Sequence, residues 1–195
     1  MLNMRTIAFG VFVLATPSFA AASGSGATPK YYFKVSNIQV EDHKIIPMAK
    51  EILEKEVASR PEFTMDVGDA NSEDAQIAEM QKRGMKGFQV SMRISSLKIE
   101  IKPPAPGHRD QQMAIDVKLA VFGHTLPGNK IMFTGDGDAS LLGEFSERLK
   151  DKEQESFTRR ALESAIKQAV STAVAKLTTA KLEDKGAKKP KAKKK

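Results

Sequence analysis

Three histidines, His43, His108 and His124, are the side chains of this sequence best suited to proton transfer or metal ligation near neutral pH. None is followed at two, three or four residues by a second histidine, the spacing that would bring two ligands together on one strand or helix face. They fall before a predicted helix, in a proline loop and beside a predicted hairpin turn, so solvated side chains are expected. Asp136, Asp138, Ser140 and Glu147 fall at positions one, three, five and twelve of a calcium loop, yet position six is Leu141 where the loop needs glycine to turn. The expectation is therefore a strand that exposes Asp136 and Asp138, with Gly135 and Gly137 permitting a helix to approach closely. Serines are numerous, but there is no Gly-x-Ser-x-Gly elbow, no Ser-x-x-Lys with its partner in place, and no phosphate-binding glycine loop. Glu51 with Lys55 and Glu79 with Arg83 have the spacing of helix-surface ion pairs. Met48, Met65, Met92 and Met113 sit on apolar periodicities, which makes them core residues rather than copper ligands. The sequence predicts no catalytic, cofactor-binding or metal site.

The remaining chemistry is electrostatic. The net charge of +7 is not spread over the chain: eight lysines against Glu183 and Asp184 give residues 181–195 a balance of +6. Arg5 stands alone near the start, and residues 21–180 hold 22 basic and 22 acidic side chains, which cancel. The basic isoelectric point therefore gives no sign of a basic face on the body. Lys188, Lys189, Lys191, Lys193, Lys194 and Lys195 are the candidate polyanion contacts, acting through counterion release. No aromatic residue lies among them to stack on bases, which argues against sequence-specific nucleic-acid recognition. The alternative is a solubilising, disordered end.

The first twenty residues place the chain. Arg5, the apolar run from Ile7 to Ala15 and Thr16-Pro17-Ser18-Phe19-Ala20 have the layout of a cleavable signal peptide. The run is too short to span a bilayer, so the mature protein is expected to be soluble, with no transmembrane segment, in the periplasm or outside the cell. The chain contains no cysteine, so it can form neither disulfides nor thiolate metal sites, and it offers no thiol for lipid attachment. Residues 21–29 are small and polar and read as a flexible linker, residues 30–180 as one domain, and residues 181–195 as a disordered lysine-rich tail.

The pattern within the domain predicts its elements. Residues 31–40 are aromatic and β-branched, with a change of parity near Ser36 and Asn37 that calls for an irregular strand. Ile45, Met48, Ala49, Ile52, Leu53 and Val57 recur at helical spacing over residues 44–59, with Pro47 acceptable only in the first turn. Phe63, Met65 and Val67 alternate as a short strand. Asn71 or Ser72 can cap a helix over 73–83 that Gly84 ends. Phe88, Val90, Met92 and Ile94 share one parity whereas Leu97, Ile99 and Ile101 take the other, so a β-bulge is expected at Ser95-Ser96. Residues 103–107 read as a loop and residues 113–121 as a half-buried strand. Leu126-Pro127-Gly128-Asn129 then turns the chain into a further strand over 131–139. Phe157, Ala161, Ala165, Ile166, Ala169, Val170, Ala173, Val174 and Leu177 make one apolar stripe on a long helix over 153–178.

This order is α+β: a single mixed or antiparallel sheet covered by helices, with a long C-terminal helix. The helix at 75–84 leading into Phe88-Gln89-Val90-Ser91-Met92, the meander carrying Gly135-Asp136-Gly137-Asp138-Ala139 and the alanine-rich terminal helix resemble one envelope domain. That domain is shared by the TolB amino-terminal region, the curli-secretion lipoprotein and the lipoprotein activators of penicillin-binding proteins. The resemblance spans about residues 30–177 and implies a non-catalytic domain that docks other envelope proteins or assembles into complexes. No site residue carries over, because no matching motif holds one, and the lipidated cysteine common in such proteins is missing. The sequence thus points to an exported, non-enzymatic cell-envelope protein acting as a protein-binding or assembly domain. A polyanion-binding protein is the alternative, and a hydrolase with an unrecognised acidic site the third reading.

Overall fold

A computed structural model describes residues 30–68, 72–103, 106, 110–145 and 151–186, with side chains described as far as Leu177. Residues 1–29, where the signal peptide and linker are expected, and Asn71, His108, Glu147 and the lysines from Lys188 onward lie outside the described residues.

The element order is β1 (Tyr31–Gln39), α1 (Ile46–Ala58), β2 (Phe63–Thr64), α2 (Glu73–Lys82), β3 (Lys86–Lys102), β4 (Gln111–Leu126), β5 (Ile131–Phe145) and α3 (Asp151–Gly186). The five strands form one mixed sheet in the order β2-β1-β3-β4-β5. β1 runs parallel to β2 and β3, whereas β3, β4 and β5 form an antiparallel meander. The fold is α+β with a long C-terminal helix, as the periodicities predict.

Both expected irregularities are present. The β1–β3 register shifts between Val35 and Ile38, where the Ser36 hydroxyl donates to the Val90 carbonyl at 3.1 Å. The β3–β4 register shifts between Ile94 and Ser96, and the Ser95 hydroxyl donates to the Lys118 carbonyl at 3.1 Å. The second bulge lets Leu97, Ile99 and Ile101 stay on the same sheet face as Val90 and Met92 despite their opposite parity.

That face carries the core. Tyr31, Phe33, Phe63, Phe88 and Phe133 form a contiguous set of rings with centroids 4.4 to 6.1 Å apart. Ala49, Ile52, Leu53 and Val57 of α1 and the predicted stripe of α3 close over it. The stripe is buried from Phe157 to Leu177 apart from a partly covered Val174, and Leu162, outside the predicted set, is fully buried beside it. α3 comes closest at Gly135 and Gly137, where an added Cβ would collide with the Ala169 and Ala165 carbonyl oxygens. A smaller apolar cluster, Tyr32, Val67, Met80 and Met85, lies where α2 joins the sheet. Ser72 caps α2 by accepting from the Ala75 amide at 3.2 Å, and Gly84, at φ +66°, ends it.

Five boundaries differ from expectation, the first being β4, expected over 113–121, which runs from Gln111 to Leu126 in pairing with β3. Residues 43–45 form a separate 3-10 turn before α1, whose first turn takes up Pro47. The strand expected to include Met65 and Val67 stops at Thr64, because the Thr64 hydroxyl accepts from the Asp66 amide and the Asp66 carboxylate accepts from Gly68, bending the chain off β1. β5 continues past Ala139 to Phe145, paired throughout with β4. Helix α3 runs on to Gly186, so residues 181–186, expected to be disordered, are helical. Lysine, leucine and glutamate there are good helix formers, and glycine at 186 suits the end.

Candidate functional site

The residues singled out for chemistry do not converge. His43 is exposed in the 3-10 turn. His124 lies not in a solvated loop but in β4, opposite Gln89 of β3 and Ile131 of β5, half-buried. Its Nδ1 is buried without a hydrogen-bond partner among the described residues. No group of three histidine, aspartate or glutamate side chains comes together among the described residues. Asp136 and Asp138 are exposed on β5, and the Ser140 hydroxyl donates to Asp116 across the strands. Met92 and Met113 are fully buried in the core, and Met48 and Met65 pack partly buried against it.

One ion pair departs from the expected partner. Glu51 takes Arg159 of α3 in a bidentate pair at 3.0 and 3.2 Å, joining the two helices, rather than pairing with Lys55 one turn along. Arg159 reaches Glu51 from the stripe's flank, a tertiary contact that no local spacing encodes. Hydrogen bonding and then charge from Arg159 hold the Glu51 carboxyl below its ordinary value. Glu79 pairs with Arg83 at 2.7 Å, as the spacing predicts, and the hydrogen bond from Arg83 lowers Glu79 in turn. Tyr32, under α2, is raised by burial and by the nearby Asp66 charge.

Two hollows among the described residues bear on whether a ligand could be held. A gap of about 10 Å³ between Phe33, Phe133 and Val170 is lined entirely by apolar side chains and is too small for a ligand. An open depression of about 250 Å³ at the start of α3 is lined by Phe145, Lys152, Glu153, Ser156, Phe157 and Arg160, and no polar group is buried in it.

The strand edges offer the remaining means of recognition, since an unpaired strand can accept another by main-chain hydrogen bonding. The β5 edge is partly closed: Gln168 of α3 reaches round to accept from the Asp138 amide at 3.0 Å, and Asp136 and Asp138 place charge beside it. β3 is different. β1 pairs with β3 only as far as Gln39 opposite Arg93, whereas β4 pairs with it on the other side as far as Lys102. From residue 94 onward β3 has no strand on its β1 side among the described residues. Along this free stretch Ile99 and Ile101 are 37% and 49% exposed, on the sheet face that elsewhere forms the core. The bulge at Ser95-Ser96 and the end of β1 near residue 40 were legible in the sequence, but the pairing of β1 with β3 that leaves residues 94–102 free on that side was not.

No family model matches this chain. No curated protein matches it either. Solved structures resemble it at low identity. The PelC dodecamer from Paraburkholderia phytofirmans is 8% identical with a TM-score of 0.40, the match covering 74% of this chain and 88% of that one. A minor lipoprotein from Acinetobacter baumannii is 8% identical with a TM-score of 0.39, covering 76% and 92%. The rare lipoprotein B from Shewanella oneidensis is 6% identical with a TM-score of 0.31, covering 77% and 99%. The second and third of these are described as lipoproteins. No helix among the described residues is long and apolar enough to cross a membrane.

Proposed function

We propose that this chain is an exported, non-enzymatic protein of the cell envelope whose α+β domain binds a protein partner or assembles with further copies of itself. The observation that carries this reading is the unpaired stretch of β3 beyond residue 93, with two isoleucines exposed on its core-side face. A strand edge of this length with apolar side chains is a liability unless something occupies it. The signal-like residues 1–20 support export, and the cancelling charges of the body favour recognition by main chain and apolar contact over electrostatic capture. The test is to tag the protein in its own envelope, crosslink it, and identify what is retained. Recovery of one defined protein, or of the chain itself in multiples, supports the reading; recovery of neither, or turnover in a broad hydrolase screen, overturns it.

A second reading rests on charge segregation, since the excess positive charge lies in residues 181–195. In it Lys188, Lys189, Lys191, Lys193, Lys194 and Lys195 attach the protein to polyanions and the domain is a carrier. Deleting residues 187–195 separates the two: protein capture that survives favours the first, and loss of all binding at low salt favours the second.

A further inference from the structure

We propose that residues 96–102 of β3 pair antiparallel with the same residues of a second copy of this chain, about a two-fold axis passing through Ile99. The inference rests on the protein-binding reading above and names the partner of that edge.

Antiparallel pairing about an axis perpendicular to the sheet keeps each side chain on its own face, so residues of the same facing lie opposite one another. With the axis at Ile99, Ile99 meets its own copy and Leu97 meets Ile101 of the second chain. Both contacts lie on the face where Ile99 and Ile101 are exposed. On the other face Lys98 meets Glu100 and Glu100 meets Lys98, two opposite-charge pairs, and Ser96 meets Lys102. The other registers are worse. An axis at Lys98 sets two lysines against each other, and one at Glu100 sets two glutamates together. An axis at Leu97 brings Ile101 against Arg93, whose edge β1 already holds. One at Ile101 brings Ile99 against Pro103, which has no N–H to donate. The Ile99 register also fits the free window, bounded by the last β1 partner at Arg93 and by Pro103.

The competing edge is less suited to this role. On β5 the Asp138 amide is already taken by Gln168, and the outward row carries Asp136 and Asp138 without a basic residue to face them. Lys30 and the C-terminal end of α3 both lie at the other end of the sheet, since Lys30 bonds to Lys86 and α3 runs back from Phe157 beside Gly143 to Ala173 beside Gly135. The edge around Ile99 is thus left clear by both.

The absence of cysteine from the chain makes the test direct. Residues facing each other on such an axis have Cα atoms about 4.5–5.5 Å apart, within disulfide range. In the full-length protein, Ile99→Cys is expected to oxidise to a linked dimer much faster than the control Leu142→Cys on the exposed part of β5. Sedimentation of the unmodified protein is expected to show twice the chain mass. Glu100→Lys, which lies opposite only Ala114 within its own sheet, should weaken the dimer about tenfold by opposing like charges twice. Adding Lys98→Glu to it should restore the dimer. A monomeric protein, equal or faster crosslinking through Leu142→Cys, or a double swap no better than Glu100→Lys would each overturn the pairing. A monomer that still retains one defined envelope protein overturns this inference alone; a monomer that retains nothing overturns the protein-binding reading with it.

Discussion

At Gly137 the Ala165 carbonyl oxygen occupies the place a Cβ would take, and at Gly135 the Ala169 carbonyl does the same. These are backbone atoms of a helix pinned by its own hydrogen bonds, so they cannot step aside as a flexible side chain would. Gly137→Ala is therefore expected to lower stability by about 1–3 kcal/mol, the usual cost of overpacking, read as an earlier midpoint in urea denaturation. Tyr32 supplies a second prediction at this scale. Its hydroxyl is held above its ordinary value of 10.0 by burial and by Asp66, so the folded state keeps a proton that the unfolded state releases. Whatever stability depends on that proton is present below pH 10 and falls as pH rises from there toward the folded-state value. Denaturation midpoints measured at pH 9 and pH 11 should drop at the higher pH, and Tyr32→Phe should flatten that part of the dependence. The Glu51–Arg159 pair has the opposite sense: the lowered Glu51 carboxyl contributes above its unfolded value and is lost in acid, weakly because the pair is exposed.

Helix α2 is the element most dependent on local signals, because it contacts the rest of the molecule chiefly through Met80 and the small cluster around Tyr32. Ser72→Ala removes the cap on the Ala75 amide and should cost about 1 kcal/mol, with amide exchange accelerated across residues 73–82 before the sheet is affected. This dependence explains why α2 was readable in advance: Ser72, Glu73, Asp74 and Gly84 carry its start and stop within the sequence itself. The bulge at Ser95-Ser96 was readable for a similar reason, since a change of side-chain parity inside one strand has few other solutions. What escaped were features decided by partners distant in sequence. β5 extends to Phe145 because β4 offers a mate as far as Gln111, although Ser140, Leu141, Leu142 and Gly143 lack a clean alternation. Arg159 finds Glu51 only once α1 and α3 lie side by side. The free edge follows from strand order and register, with β1 laid beside β3 so that Gln39 ends opposite Arg93, and neither is encoded in the local pattern of β3. Of the candidate site, the parity switch at Ser95-Ser96 could be foreseen and the exposure of Ile99 and Ile101 could not.

Across the whole molecule, charge and packing are kept apart. The body from residue 21 to 180 is balanced, and the +6 of residues 181–195 comes from the six lysines after Gly186 in the sequence, whereas the free edge of β3 is apolar at Ile99 and Ile101. If both proposed attachments exist, salt separates them, because one rests on charge and the other on main-chain and apolar contact. Main-chain pairing and aliphatic contact at residues 96–102 bury neutral groups and change little with ionic strength, apart from the Lys98 and Glu100 contacts. Binding of the lysines to a polyanion releases counterions, so its logarithm falls with the logarithm of salt at a slope of roughly 0.7–0.9 per charge neutralised. Deleting residues 187–195 removes six lysines and no acid. The expected outcome is loss of retention on an anionic matrix at low salt, with the number of chains per particle in sedimentation unchanged. The intact chain should elute from the same matrix by about 1 M salt, where the Debye length has fallen to about 3 Å. If the deletion also changed the number of chains per particle, the lysines would be part of the assembly contact, and the separation between charged end and pairing edge would not hold.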